Sequence, residues 1–193
     1  MTKNPTLING INPDQIRQTA ASATDAAAAA ATFSADTTWE GGFQSTSRFD
    51  TWSFGGQAIP RDASLTLATP KEMGGSATLP TPLEAYLASL NGCLVVGLVL
   101  QCSLRGIEIK SLKVHTTGTV DARAFLVNAP IPAGFPAVKC EFLIEADADE
   151  ATLREMLDAA MATSPNKANV TTAVPLEVEY TISKALAVAG SAS

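Results

Sequence analysis

Histidine is almost absent from this chain, which carries His115 alone among its 193 residues. A histidine-based metal site or a Ser-His-Asp triad would therefore depend on one side chain. HExxH, CxxC, Walker and GxGxxG motifs are also missing, so no metal, nucleotide or other cofactor is expected. His115 falls beside Lys113 in a predicted strand, on the face opposite Leu112 and Val114. That pattern indicates an exposed strand residue.

Clustered positive charge is missing as well. Lysine and arginine total 13 against 19 acidic residues, the net charge is −6, and no basic stripe is visible. Because binding to phosphate groups requires grouped Lys and Arg, nucleic acid is not expected as a partner. Residues 1–18 lack the charged-then-apolar order of a secretory signal. The sequence therefore predicts a cytoplasmic protein.

Cysteine is scarce, with Cys93, Cys102 and Cys140 only, and an odd, scattered set does not indicate a disulfide framework. Cys140 lies on the apolar face of a predicted strand. Cys102 follows Cys93 by nine helical residues, about 13 Å further along and on the opposite side, so these two cannot pair within the helix. Small residues leave room beside the Cys93 sulfur. Composition alone favours a buried structural cysteine there, and a reactive one would need a cation, such as an arginine, from another segment.

Long apolar runs are also missing, the longest being Cys93 to Leu100 within the stretch 81–104. A membrane-spanning helix needs about 20 mainly apolar residues, so no membrane association is expected. Thr81 and Glu84 have capping-box spacing, and Pro82 falls at the first helical position. The following residues are apolar almost all round. This pattern predicts a central helix buried within a soluble domain.

The remaining segments predict an α+β fold. Strands are expected near 36–40, 45–53, 63–69, 107–116, 137–145 and 174–182, with a bulge near Ser111. An amphipathic helix is expected to begin at a capping box of Asp147 and Glu150 and to end at Ser164. We divide the chain into an Ala-rich N-terminal arm at 1–35, a domain at 36–185, and a loose C-terminal tail at 186–193.

Three stretches resemble the OsmC/Ohr family: PTPLEAYLASLNGCL in the central helix, GIEIKSLKVHTTGTVD in the next strand, and ADADEATLREMLDAAMATSPNKANVTTAVPLEVEY near the C-terminus. The resemblance covers most of residues 36–183. It implies an OsmC-like fold, in which antiparallel sheets wrap a long buried helix in an intertwined homodimer. The best-known members reduce organic hydroperoxides with a pair of cysteines at the subunit interface.

The resemblance also implies roles for individual residues. Cys93 matches the cysteine that attacks the peroxide. Glu84 matches a glutamate of OsmC-like relatives, whereas the peroxidase branch places it one residue earlier, at Leu83 here; a capping role and a site role for Glu84 are both open. The arginine that stabilises the thiolate comes from the early strands, with Arg48 as first candidate and Arg61 as second.

One position departs from the family pattern. The second, resolving cysteine of the peroxidases precedes the proline after the second helix, and that position is Ser164 here. A serine cannot form a disulfide with an oxidised cysteine. Two hypotheses follow. Cys93 acts alone on small organic hydroperoxides and is restored by an external thiol, or the chain is an inactive OsmC-like module that binds a small apolar or thiol ligand in the dimer-interface cleft.

Overall fold

The computed structural model describes residues 6–182, which form a mixed α+β fold with a long central helix and two antiparallel sheets. The elements in chain order are α1 (Pro13–Ser22), β1 (Ala31–Phe33), β2 (Asp36–Gly41), β3 (Gln44–Phe54), β4 (Gln57–Leu67), α2 (Pro82–Leu104), β5 (Ile109–Gly118), α3 (Arg123–Leu126), β6 (Val138–Ala146), α4 (Glu150–Thr163) and α5 (Pro165–Thr171). The α+β prediction is confirmed.

The central helix α2 begins as its sequence predicts. The Thr81 hydroxyl accepts a hydrogen bond from the Glu84 backbone N–H, and the Glu84 carboxylate accepts one from the Thr81 N–H. These two bonds satisfy backbone donors that a helix start otherwise leaves without partners. Pro82 occupies the first turn, where its missing N–H costs nothing. The capping box of α2 is therefore confirmed.

The burial of α2 differs from the prediction. One stripe at four-residue spacing, Leu90, Leu94, Leu98 and Cys102, is at most 4% exposed. Within it, Leu98 and Cys102 pack with Met156 and Ala160 of α4 and with residues of β5 and β6. The opposite stripe, Ala88, Gly92 and Val96, is exposed. The prediction of burial on every side is wrong for one chain, because the described part of the chain covers only one face of α2.

The two sheets have simple antiparallel registers. In the first sheet β3 pairs with β1 and β2 on one side and with β4 on the other. In the second sheet β5 pairs with β6, and the register shifts between Ile109 and Ser111. This shift confirms the bulge that the sequence predicts near Ser111. The second sheet packs on α2 through residues such as Leu112, Phe142 and Ile144.

The first sheet, by contrast, does not pack broadly against α2 in the part of the chain that the structure describes. Most residues of β2 and β4 are exposed. Its apolar side chains share this exposure, with Phe33 and Trp39 at 67% and 74%. A sheet of four strands normally buries one face against another layer. This sheet therefore has an apolar surface that residues 6–182 leave uncovered.

Residues of the predicted N-terminal arm dock onto the end of α2. The Asn9 side chain donates to the Ser103 hydroxyl and to the Ile107 carbonyl, both at 2.9 Å, and accepts from the Ile109 N–H at 2.7 Å. Ser103, which is 1% exposed, donates in turn to the Ile8 carbonyl. Asparagine suits the position because its φ is 53°, a left-handed conformation that asparagine tolerates. Ile8 and Asn9 are thus fixed to the core.

This contact gives a first prediction. Asn9→Gly keeps the backbone conformation and removes three hydrogen bonds, so we expect the free energy of unfolding to fall by about 2–3 kcal/mol, at about 1 kcal/mol per bond. Urea denaturation followed by circular dichroism measures the loss. Asn128→Gly is the matched control, because Asn128 also has a positive φ, 52°, and its side chain makes no hydrogen bond within residues 6–182. An equal effect of the two substitutions would contradict the proposed anchor.

Two boundaries differ from the sequence prediction. Asp149, not Asp147, caps α4, because its carboxylate accepts from the Thr152 N–H at 2.8 Å. The predicted last strand, 174–182, has no strand partner, and its apolar side chains at Leu176 and Tyr180 are 86% and 83% exposed. A strand requires a neighbouring strand to satisfy its backbone, and residues 6–182 offer none to it. The predicted tail at 186–193 lies outside the described residues.

Candidate active site

Cys93 lies in the middle of α2, between the buried stripe and the exposed stripe, and is partly exposed. Its sulfur has a polar neighbour from another element, because the Ser164 hydroxyl donates a hydrogen bond to Cys93 Sγ at 3.2 Å. The family resemblance alone marks Ser164 as a site residue. The structure brings these two positions into contact although 71 residues separate them.

The junction between α4 and α5 fixes Ser164 against α2. Ser164 is 5% exposed and caps α5, since its hydroxyl oxygen accepts from the Lys167 N–H at 3.2 Å. Asn166 donates from its side-chain amide to the Ser89 carbonyl, one helical turn before Cys93, at 2.8 Å. Sequence analysis did not single out Asn166, which has no motif of its own. Both contacts hold the start of α5 beside Cys93.

The other two cysteines have different surroundings. Cys102 is 0% exposed in the core between α2 and α4, and burial raises the pKa of its thiol. Cys140 is paired across the second sheet with Thr116, whose hydroxyl lies 3.2 Å from the Cys140 sulfur and also bonds Asn91 of α2. All three cysteines are free. Cys93 is the cysteine that combines partial exposure with a contact to α5.

Glu84 has a structural partner in this chain. It lies nine residues before Cys93, about 13 Å along the helix, and its carboxylate bonds the Thr81 N–H at 2.7 Å. That backbone hydrogen bond, with a smaller contribution from the Thr81 side chain, lowers the pKa of Glu84. The capping role is therefore present, and the described contacts do not join Glu84 to Cys93.

The lowered pKa gives a second prediction. Ionised Glu84 stabilises the fold above its ordinary pKa of 4.5, and that stabilisation disappears as the pH falls through the lowered value. We expect Glu84→Gln to lower the melting temperature at pH 7 and to leave it unchanged near pH 2, as measured by calorimetry. Exposed Glu108 is the control, because its side chain makes no hydrogen bond among residues 6–182, and Glu108→Gln should lower the melting temperature at pH 7 less than Glu84→Gln does. A difference that grows toward acid pH would contradict the prediction.

The two candidate arginines lie on the first sheet, away from Cys93 of the same chain. Arg48 pairs with Asp62 at 3.1 Å and with Asp50 at 3.5 Å, and 57% of its side chain is exposed. Arg61 lies over the Phe49 ring at 5.5 Å. β3 and β4 do not pack broadly on α2 in the described residues, and no contact among residues 6–182 joins either arginine to the Cys93 sulfur. Their role at the site stays a prediction.

The single histidine and the acidic residues form no site of their own. His115 is exposed on β5, opposite Glu141 of β6, as the sequence indicates. Among residues 6–182, no group of three His, Cys, Asp or Glu side chains has the arrangement of a metal site. The chemistry available at the site is therefore that of the Cys93 thiol and its neighbours.

Two open cavities lie along the first half of α2. One, of about 680 Å³, is lined by Leu65, by residues 77–80 and, on α2, by Glu84, Ala85, Ala88 and Ser89. It ends one turn before Cys93, and its lining is mainly apolar. The other, of about 330 Å³, lies at the start of the helix. It is lined by Thr69, Pro70, Met73, Thr81, Pro82, Leu83, Phe125 and Ala133.

Comparison with solved structures finds proteins that are similar to this chain. A Psychrobacter arcticus protein named for osmotic stress induction and detoxification superposes with a TM-score of 0.52 at 16% identity, over 69% of this chain and 84% of that one. The organic hydroperoxide resistance protein OhrB of Bacillus subtilis has a TM-score of 0.42 at 20% identity, over 71% and 90%. No curated protein matches the chain at a significant level.

The central helix is long and apolar enough to cross a membrane by length and composition. The core helix of a soluble protein has the same properties, and here α4 and the second sheet pack against α2.

The model of the OsmC-like protein family matches residues 74–179, which is more than half of the chain and includes α2, Cys93 and Ser164. The protein therefore belongs to the OsmC-like family of soluble proteins.

Proposed function

We propose that this protein reduces organic hydroperoxides through Cys93 and that an external thiol restores the cysteine. The proposal rests on one observation: the partly exposed Cys93 sulfur accepts a hydrogen bond from the Ser164 hydroxyl. In the family peroxidases, cysteines occupy both of these positions. Buried Cys102 lacks access to a substrate. Family membership supplies the substrate class, since the best-known OsmC/Ohr members act on organic hydroperoxides.

The proposed reaction needs no cofactor. The Cys93 thiolate attacks the distal oxygen of the hydroperoxide, the O–O bond breaks, and the alkoxide leaves as an alcohol after taking a proton. The sulfur becomes a sulfenic acid. An external thiol then displaces water to form a mixed disulfide, and a second thiol releases Cys93 as the thiol together with an external disulfide. Two thiols are therefore oxidised for each hydroperoxide reduced.

The groove along α2 supports an apolar substrate. Leu65, Leu79, Ala85 and Ala88 give it an apolar lining, and it ends beside Ser89, one turn from Cys93. An alkyl chain in this groove would place its hydroperoxide end near the sulfur. Burial of each CH₂ group would contribute about 0.8 kcal/mol, so longer alkyl hydroperoxides should bind more tightly.

A homodimer completes this proposal. The exposed stripe of Ala88, Gly92 and Val96 is apolar and small enough for a second helix to approach closely, and nothing lies within 4 Å of a Cβ built on Gly92. A second copy would cover α2 and the first sheet, and would bring Arg48 or Arg61 of the partner subunit toward Cys93.

The proposal is tested by mixing the reduced protein with cumene hydroperoxide in a stopped-flow instrument and locating the oxidised sulfur by mass spectrometry. We expect rapid, stoichiometric oxidation at Cys93 and slow oxidation at Cys102 and Cys140. The matched control is hydrogen peroxide, which has no apolar group for the groove and should react more slowly. Slow and equal oxidation of the three cysteines would overturn the proposal.

One observation favours the alternative function, a catalytically inactive module that binds a small apolar or thiol ligand. The position at which the peroxidase branch carries a glutamate is Leu83, and its side chain lines the second cavity with Met73 and Phe125. That cavity is apolar and of a size for a small ligand. Under this alternative Cys93 is a packing residue, and it should not form a sulfenic acid on exposure to hydroperoxide.

A further inference from the structure

We propose that Ser164 is a positioning residue that donates a hydrogen bond to the Cys93 thiolate and so raises its reactivity. The position that resolves the oxidised cysteine in the family peroxidases would then assist the first step in this chain. The consequence for peroxide reduction rests on the proposed function above. The effect of Ser164 on the thiol itself does not, because it can be measured without a peroxide.

The hydrogen-bond pattern fixes the direction of the Ser164 hydroxyl. A hydroxyl has one hydrogen to donate and two lone pairs to accept with. The Lys167 N–H donates to the Ser164 oxygen at 3.2 Å, which uses one lone pair. The single hydrogen is then free for the Cys93 sulfur, also at 3.2 Å. A hydrogen bond of this kind is stronger when its acceptor is ionised, so the geometry offers the Cys93 thiolate a directed donor.

Burial and backbone geometry keep the donor in place. Ser164 is 5% exposed, so water competes little for its hydroxyl. It ends α4 and caps α5 at once, with φ −77° and ψ 116°, and Pro165 follows directly. Asn166 ties the first turn of α5 to the Ser89 carbonyl of α2. The Ser164 hydroxyl is therefore held in place between the end of α4 and the first turn of α5.

The same contact decides what happens after oxidation. The sulfenic acid on Cys93 would face an oxygen, and a hydroxyl cannot displace water from it to form a disulfide. An external thiol must supply the sulfur that forms the S–S bond as the S–O bond breaks and water leaves. Ser164 thus accelerates the oxidation of Cys93, whereas an external thiol reduces the sulfenic acid, as in an enzyme with one reactive cysteine.

The test measures alkylation of Cys93 by iodoacetamide, with mass spectrometry locating the label, at pH 7 and at pH 10. For Ser164→Ala we expect the pH 7 rate to fall about three- to tenfold, the range that one hydrogen bond supplies. At pH 10, where thiols ionise without assistance, the rates should converge. Ser164→Thr should restore the rate, and Ser22→Ala, which removes an exposed serine hydroxyl of α1, should not change it.

A second variant separates thiolate stabilisation from the structural cap. Ser164→Asp keeps an oxygen that can accept from the Lys167 N–H but cannot donate to sulfur, so its pH 7 rate should fall at least as far as that of Ser164→Ala. Unchanged pH 7 rates in both variants would overturn the inference. Equal losses at pH 7 and pH 10 would overturn it too, since they would indicate a purely structural role.

A third variant tests the geometry directly. Ser164→Cys, treated with diamide, should form a disulfide between Cys93 and the introduced cysteine, detected as a mass loss of two hydrogens and a cross-linked peptide. Failure to cross-link would contradict the contact. If alkylation depends on Ser164 as expected while cumene hydroperoxide does not oxidise Cys93, the proposed function fails and the inference on Ser164 stands.

Discussion

Cys93→Ser is expected to abolish the reduction of organic hydroperoxides, with a loss of at least about a hundredfold in the rate of peroxide consumption. The reason is chemical, because the thiolate is the nucleophile and a serine hydroxyl is scarcely ionised at neutral pH. The measurement is the consumption of cumene hydroperoxide in the presence of excess dithiothreitol. Consumption by dithiothreitol alone supplies the baseline that the variant should reach.

Two matched variants make this result specific to Cys93. Cys102→Ala removes a thiol that is 0% exposed and whose pKa burial raises, and Cys140→Ser removes the thiol beside Thr116. Both should retain the parental rate per folded molecule, with circular dichroism reporting the folded fraction. If Cys93→Ser consumes peroxide as fast as the parent, the peroxidase proposal is wrong and the ligand-binding alternative becomes the better hypothesis.

Local sequence patterns predicted the fold well wherever a short segment fixes its own conformation. Thr81, Pro82 and Glu84 specify the start of α2, and the alternation of apolar residues gave β5 and β6 together with the bulge near Ser111. The cap of α4 is Asp149 and not Asp147, although the residue three positions after Asp149 is Thr152 and only Asp147 has the capping-box spacing to Glu150. Capping chemistry is local, so errors of this kind remain within one helical turn.

Patterns of hydrophobicity were less informative about what covers an element. An apolar helix is buried in the assembled protein, but the pattern does not say whether its own chain or another buries it. Val96 and Gly92 on α2 and Leu176 near the C-terminus all have the apolar character that the sequence assigns to buried positions, yet one chain leaves them exposed. The prediction of a last strand at 174–182 was wrong for the same reason, because the pattern does not show what would pair with it.

The site was predictable in part. Cys93 and Ser164 came from a family pattern, and the structure joins them by a hydrogen bond that no spacing along the sequence could indicate. Arg48 illustrates the opposite case. Its position on an early strand fits the pattern, but Arg48 pairs with Asp50 and Asp62 on the first sheet, and that sheet does not pack broadly on α2 among residues 6–182. Long-range placement depends on packing between elements and between chains.

The exposed stripe of α2 carries the prediction with the largest effect on assembly. If a second copy covers this stripe, Val96, which is 67% exposed in one chain, becomes buried at a symmetric interface. Val96→Glu then buries an unpaired charge in each subunit, at roughly 3 kcal/mol or more for each. Symmetry places the substitution twice in the interface, so the dissociation constant of the dimer should rise by at least about ten-thousandfold.

Sedimentation velocity at micromolar protein measures this effect, with a dimer expected for the parent and a monomer for Val96→Glu. Val127→Glu is the matched control, because Val127 is 70% exposed outside the stripe and its substitution should leave the dimer intact. Peroxide reduction should fall with the dimer if an arginine of the partner subunit stabilises the Cys93 thiolate. A parent that sediments as a monomer would contradict the proposed dimer, and a monomeric Val96→Glu with full activity would show that each chain holds a complete site.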